Sequence, residues 1–264
     1  MNILFMGTPD FATASLAALL DAGKHVCAVV TQPDKARGRG MKVTFSDVKK
    51  FALEKELPVL QPETLKNGAF LPTLEEYKPD LIAVVAYGKI LPEYILNFPK
   101  YGCVNVHGSL LPKYRGAAPI QRAVLNGDSV SGVTTMRLDK GMDTGDTYFS
   151  ESIEIGENMT TGELFDTLAE IGGKLLVQTV EALENGSAKP LPQDHANATH
   201  ADKILPEECE LDFSLPARAV HNRIRGLSPF PGAFSHLDGK IVKLYDSRLN
   251  DETGEKAPCG TVLE

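Results

Sequence analysis

Three side chains in this 264-residue sequence have types and spacing that suit chemistry on an acyl group: Asn105, His107 and Asp143. Residues two apart in a strand share a face, so Asn105 and His107 in the run Asn105-Val106-His107-Gly108-Ser109 project together. At the C-terminal edge of an open α/β sheet, where such folds bind ligands, they would flank one small space. The amide N–H can stabilise an oxyanion and the imidazole can handle an amine's proton. A carboxylate such as Asp143 can orient that imidazole and stabilise its charged form. The trio suits acyl-type transfer to an amine and needs no covalent nucleophile. The competing reading is a strand that ends in a polar turn, with His107 merely hydrogen-bonded. Against it stand two polar side chains paired on an otherwise apolar strand, the Gly- and Pro-containing segment that follows, and the acid in a second polar turn.

Other chemistry is weaker. Ser109 lies beside the pair, but G-x-S-x-G is absent and a serine two residues from the histidine is poorly placed to bond to it, which disfavours a serine hydrolase. Gly7-Thr8-Pro9-Asp10 occupies the place of a phosphate-binding loop without its further glycines, as a tight strand-to-helix turn would. His195 and His200 have no Cys or carboxylate constellation nearby, so no metal site is expected. Cys27, Cys103, Cys209 and Cys259 are scattered without C-x-x-C pairing, which fits a reducing cytosol. Cys103, on the strand face of Asn105, reads as a buried apolar filler.

Positioning the trio requires a sheet. Continuous or β-branched apolar runs at residues 3–6, 26–31, 58–60, 81–86 and 101–107 predict strands. Helical spacing from Phe11 to a stop at Gly23, and patterns at 47–56 and 117–126, predict helices between them. Residues 130–138 and 148–155 alternate as strands around the turn 139–145, and Thr160 with Glu163 forms a capping box for a helix to about 183. This is the pattern of an α/β, Rossmann-like, mostly parallel sheet domain over 1–184. Residues 32–42, with Pro33, two glycines and four cations, read as an exposed loop. Residues 185–208 read as a linker. A smaller β domain is expected over 209–264, with a helix at 216–225 and strands at 233–237, 240–245 and 260–263. Its last strand stops in mid-pattern, so the domain is expected to be incomplete.

With 42% apolar and 23% charged residues the composition is that of a globular protein with a real core. The net charge of −8 argues against a wholly basic nucleic-acid coat but leaves room for a local basic patch. The longest apolar stretch, 81–87, is far too short to span a bilayer, and neither a membrane anchor nor a secretory signal is expected.

The motifs in combination resemble the folate-dependent formyltransferase superfamily. They are Asn105-x-His107, Ser109-Leu110-Leu111-Pro112-x-Tyr114-Arg115-Gly116, and Asp143 in a Met-Asp-Thr-Gly turn. The likeness extends through Gly7-Thr8-Pro9-Asp10-Phe11, Thr31-Gln32-Pro33-Asp34 leading to Gly38-Arg39-Gly40, and Ala86-Tyr87-Gly88-Lys89-Ile90-Leu91-Pro92. Asn222-Arg223-Ile224-Arg225-Gly226-Leu227, with Pro229 to Ala233, carries it through essentially the whole chain. It is widest to the branch that formylates methionyl initiator tRNA.

The resemblance implies a cytoplasmic enzyme of translation initiation, with 10-formyltetrahydrofolate as formyl donor and the α-amino group of methionyl initiator tRNA as acceptor. Asn105, His107 and Asp143 would be its catalytic trio. Ser109, Leu110, Leu111 and Pro112 would help hold the folate, and Tyr87, Gly88, Lys89, Ile90 and Leu91 would form another wall of its pocket. No metal is implied. The loop would enter the tRNA acceptor arm with Lys35, Arg37, Arg39 and Lys42, Arg39 reaching furthest; a solvated charged loop is the other reading. Arg218, Arg223 and Arg225 either track the tRNA backbone or form a solvated helix face. The family's C-terminal domain is an OB-like barrel longer than the residues available here, so weakened tRNA binding is expected. A monomer is expected. Two alternatives stay in view: a sugar-nucleotide N-formyltransferase using the same trio, and a tRNA- or folate-binding module without catalysis. The Gly38-Arg39-Gly40 loop favours tRNA over an amino sugar.

Overall fold

The computed structural model describes residues 1–37, 42–250 and 257–262. Its first elements are β1 (Asn2–Gly7), α1 (Asp10–Asp21), β2 (His25–Val30), β3 (Lys35–Arg37), β4 (Lys42–Thr44), α2 (Asp47–Glu54) and β5 (Val59–Leu60). Then come α3 (Leu71–Tyr77), β6 (Leu81–Val85), α4 (Glu93–Leu96), β7 (Cys103–His107), β8 (Arg115–Gly116), α5 (Pro119–Leu125), β9 (Val130–Arg137) and β10 (Thr147–Glu154). The chain continues through α6 (Thr161–Glu184), β11 (His200–Ala201), α7 (Ala217–Gly226), β12 (Ala233–Leu237) and β13 (Lys240–Leu244).

Seven strands form the main sheet in the order β10-β9-β7-β6-β1-β2-β5. β1, β2, β5, β6 and β7 are parallel, and β9 and β10 add antiparallel at one edge. The chain leaves β1 toward β2 and β5, then crosses back to β6, so the strand order reverses between β1 and β6. Open α/β sheets bind ligands outside the carboxyl ends of strands at such a point. All five residues of β6 are buried, as its unbroken apolar run requires.

Both faces of the sheet are covered. On one, Val104 and Val106 pack with Leu16, Leu19, Leu168 and Leu176 of α1 and α6. On the other, Cys103 packs with Leu4, Met6, Val84, Tyr87 and Ile95. Thr160 caps α6, and the reciprocal Glu163 bond completes the expected capping box. Gly172 lies inside this 24-residue helix, where glycine costs about 1 kcal/mol relative to alanine. A Cβ there would stand 2.8 Å from Val106 Cγ1. The bare backbone thus lets α6 lie directly on the strand that carries Asn105 and His107.

Three differences from the sequence expectations bear on function. The flanks of the exposed loop pair as a hairpin, with Lys35, Ala36 and Arg37 opposite Thr44, Val43 and Lys42. The β-branched Val43 and Thr44 supply strand propensity that the glycines and cations mask in the sequence. Residues 185–208 are not extended away from the first domain: Leu191 bridges to Thr147 and β11 pairs in parallel with β8. Residues 260–262 form no strand; β12 pairs with β13 and, through an isolated bridge at Phe234, with Glu210. Helices α3 and α4 are short and were not legible in the sequence.

The C-terminal region builds its own cluster from Cys209, Leu211, Ile224, Leu227 and Ala233. It is fastened to the first domain by the Thr161 hydroxyl, which donates to Gly226 O at 2.8 Å. Arg122 on α5 also grips Glu208 through two bonds of 2.6 and 3.0 Å. Among the described residues no helix is long and apolar enough to cross a membrane.

Candidate active site

The alternation of β7 is as expected. Val104 and Val106 point into one core, while Cys103, Asn105 and His107 take the other face. Asn105 is half-buried and pairs in register with Val84 of β6 and Met136 of β9. Among the described residues its carboxamide has no hydrogen-bond partner, so it is available to a ligand.

His107 is 6% exposed, and its Nε2 lies 2.9 Å from Tyr114 O. A carbonyl oxygen only accepts, so this bond places a proton on Nε2 and leaves Nδ1 of the neutral ring with the lone pair. Nδ1 faces Asp143 Oδ2 at 3.7 Å, too long for a hydrogen bond but close enough to stabilise a protonated ring. Oδ2 in turn accepts from Gly116 N–H at 2.8 Å. Asp143 has φ +54°, a left-handed conformation that aspartate tolerates better than most residues. The spacing of the sequence thus becomes an amide, a base and a carboxylate on neighbouring edges of one sheet.

The segment 109–116 is clamped from several sides. Ser109 Oγ donates to Lys113 O at 2.7 Å, which engages the hydroxyl within its own turn. Thr134, opposite His107 on β9, donates to Ser109 O at 2.7 Å and accepts from Leu111 N–H at 3.2 Å. Tyr114 N–H donates to Thr199 Oγ1, and its hydroxyl donates to Asp128, fixing the carbonyl that orients His107. Gly116 has φ +119°, and a Cβ there would meet Ala201 O at 2.9 Å. Leu110, Leu111 and Pro112 are partly exposed beside these bonds.

At the end of β6, Ala86 takes φ +46° and is exposed, followed by the fully buried Tyr87. Burial pushes the Tyr87 phenol up to about 12, so it stays protonated. Its hydroxyl finds no partner among the described residues. Gly88 is exposed, Lys89 donates to Pro62 O and Glu63 O, Ile90 is 86% exposed, and Leu91 is buried. Of this expected wall, Gly88 and Ile90 present surface, Lys89 is half-buried, and Tyr87 and Leu91 are buried. Burial likewise pushes the Cys103 thiol up to about 12, in keeping with an inert filler.

The basic residues divide. Lys35, Arg37 and Lys42 lie on the β3–β4 hairpin, whereas Gly38, Arg39 and Gly40 lie outside the described residues. The hairpin base is wired to the sheet edge. Lys49 donates to Asp34 and Gln61, Gln61 donates to Asp34 and Gln32 O, and Gln32 donates to Tyr87 O. These bonds hold the Asp34 carboxyl below the usual carboxylate range. Arg218 is exposed but paired with Glu157 at 2.7 Å, and Arg223 donates to Glu208 O. Arg225 departs from the outward-facing helix cluster expected of it. It is 5% exposed, its Nε donates to Asn222 and its Nη1 to Gly156 O and Met159 O. Its place on the inner side of α7 makes it a bolt between the two regions.

Sequence reasoning missed Thr134, Arg115, Gln193 and Thr199 as supports of the site. The first two carried a signal: a threonine strand opposite the histidine, and an arginine inside the quoted motif. The last two lie in a segment without apolar period, which hides their tertiary partners.

Fold and site together define a Rossmann-like α/β domain joined to a smaller C-terminal unit, with an amide, an imidazole and a carboxylate at the sheet's open edge. Residues 1–180 match the Formyl transferase family and residues 203–264 match Formyl transferase, C-terminal domain. The chain belongs to the formyl transferase family. It is 50% identical over 264 residues to the methionyl-tRNA formyltransferase of Desulforamulus reducens, covering 100% of this chain and 83% of that protein. It is also 50% identical over 265 residues to the methionyl-tRNA formyltransferase of Caldanaerobacter subterraneus subsp. tengcongensis, covering 100% and 85%. Among solved structures, a 4-N formyltransferase from Francisella tularensis superposes with TM-score 0.72 at 15% identity, covering 94% of this chain and 98% of that one. An N-formyltransferase from Helicobacter canadensis, in complex with folinic acid and dTDP-3-aminofucose, superposes with TM-score 0.70 at 18% identity, covering 95% and 88%. At these identities the solved structures share the fold.

Proposed function

We propose that this protein transfers the formyl group of 10-formyltetrahydrofolate to the α-amino group of methionyl initiator tRNA. Identity of 50% across the whole of this chain to methionyl-tRNA formyltransferases, against 18% to an N-formyltransferase in complex with dTDP-3-aminofucose, favours tRNA over an amino sugar as acceptor. The observation that supports catalysis is the unpartnered amide of Asn105 beside His107, whose Nδ1 lone pair faces Asp143.

The acceptor nitrogen attacks the formyl carbon, forming the new C–N bond, and the carbonyl electrons move onto oxygen. Asn105 donates its amide N–H to that oxyanion. His107 Nδ1 takes the proton released by the amine, and Asp143 stabilises the imidazolium. Collapse of the tetrahedral intermediate breaks the bond from carbon to N10, and the proton passes to N10 of the departing tetrahydrofolate. Folate would lie along the carboxyl edge of β6 and β7, between residues 86–91 and 109–112. The formyl donor fits the site in one respect above all: the Asn105 amide is left open where the formyl oxygen would develop charge. Holding amine and formyl carbon together contributes several kcal/mol, about as much as the oxyanion contact. Lys35, Arg37, Arg39 and Lys42 would meet the acceptor arm, joined by the exposed Arg218.

The test is formyl incorporation from 10-formyltetrahydrofolate into methionyl initiator tRNA, with charged elongator tRNA and an amino-sugar nucleotide in parallel. Selective incorporation into the initiator is expected. Transfer to the sugar alone, or to no acceptor, would overturn the reading.

A further inference from the structure

Residues 191–201 run as a strap across the turn that carries Asp143. Leu191 exchanges two backbone bonds with Thr147, at 2.9 and 2.8 Å. Two residues on, the Gln193 side chain is buried, with the residue 8% exposed. Its Nε2 donates to Asp143 O at 2.9 Å and to Gly145 O at 2.7 Å. Its Oε1 accepts from Arg115 Nε at 3.2 Å and Nη2 at 2.7 Å, and the same Nη2 lies 3.1 Å from His195 Nδ1. Both donors and both lone pairs of this amide are therefore committed. Arg115 is itself buried, and the next residue, Gly116, holds the Asp143 carboxylate through its N–H.

Asp143 is thus gripped at two points, its main-chain carbonyl by Gln193 and its carboxylate by Gly116. A non-glycine residue in the left-handed region is strained and persists only where its surroundings enforce it. Coulomb attraction falls inversely with distance, so a carboxylate that drifts to twice its separation stabilises a protonated ring half as well. We propose that Gln193 is a positioning residue for formyl transfer, holding the turn so that Asp143 stays 3.7 Å from His107 Nδ1. It acts through Asp143 and touches no reacting atom. The inference rests on the reading of His107 and Asp143 as the proton-handling pair.

Gln193→Met keeps length and volume but has no polar group to bond the turn; Gln193→Glu keeps the acceptor for Arg115 and loses the donors. Each is made in the wild-type and Asp143→Ala backgrounds, and kcat and KM for the formyl donor are measured with saturating methionyl initiator tRNA. The expected result in the wild-type background is a kcat lower by about tenfold with KM within about twofold, and little further loss once Asp143 is gone. An equal loss in both backgrounds, a change confined to KM, or an unchanged kcat would overturn the proposal. If Gln193→Met does not fold, Gln193→Glu carries the measurement. Amide exchange at Gly116, read without substrate, provides an independent check: release of the Asp143 carboxylate should accelerate it about tenfold in both variants. Unchanged exchange at Gly116 would overturn the proposal whatever the activity. A wild-type protein that formylates nothing would sink the function while leaving this exchange measurement to decide the role of Gln193.

Discussion

The tautomer of His107 is set by a single backbone carbonyl. Tyr114 O accepts a hydrogen bond from Nε2–H, and Nδ1 keeps its lone pair on the side where Asp143 stands. The pairing of Asn105 with His107 follows from two-residue periodicity and was legible in the sequence. The tautomer was not, because it depends on where the loop returns Tyr114. Removing the imidazole in His107→Ala should lower kcat about 10²-fold or more while the Kd for the formyl donor stays near its wild-type value. Near-normal turnover would remove His107 from the proton path. Arg225 teaches the converse lesson. Its charge suggested a phosphate contact, but the guanidinium is buried and its Nε and Nη1 bond to Asn222, Gly156 and Met159, holding structure together instead.

At the scale of elements, the close approach of α6 to β7 sets the depth at which the site strand lies. Alanine at position 172 would gain about 1 kcal/mol in helix propensity but force Val106 aside, and overpacking costs about 1–3 kcal/mol. Overpacking wins, so Gly172→Ala should lower the midpoint of denaturant unfolding. It should also lower kcat, since Val106 separates Asn105 from His107; an unchanged midpoint would contradict the packing argument. The Arg122–Glu208 fork joins α5 to the segment before α7. Its hydrogen bonds from Arg122 hold the Glu208 carboxyl below the usual range. A depressed carboxyl stabilises the fold fully above its unfolded value, and that stability is lost as pH falls through the folded one. Glu208→Gln should therefore cost about 1 kcal/mol at neutral pH, discounted for partial exposure. In paired thermal melts the difference should close as pH drops below the usual carboxylate range; a constant difference would mean that the contact is not ionic.

For the whole molecule, the architecture joins two substrates of different character. The formyl donor needs a pocket at the carboxyl edge of the sheet, and the tRNA needs cations on an acidic protein with a net charge of −8. In the proposed function the cations of residues 35–42 would provide them locally; Gln32, Asp34, Lys49 and Gln61 tie the base of the β3–β4 hairpin to Tyr87 O. Arg39→Ala should raise KM for methionyl initiator tRNA and reduce the salt dependence of binding by about one phosphate contact, with donor affinity unchanged. An effect confined to donor affinity would contradict the hairpin's assignment to tRNA.

The sequence by itself determined whatever depends on local periodicity: the parallel strands, the capped helix α6, the shared face of Asn105 and His107, and the motifs that mark the family. These are properties of residues a few positions apart, where backbone geometry alone sets direction. Only the tertiary structure decided that residues 191–201 strap the Asp143 turn, that Gln193 and Arg115 support it, and that Arg225 faces inward. Each of these rests on hydrogen bonds between groups dozens of residues apart, and a polar segment without apolar period gives no sign of which distant carbonyl its side chains will meet.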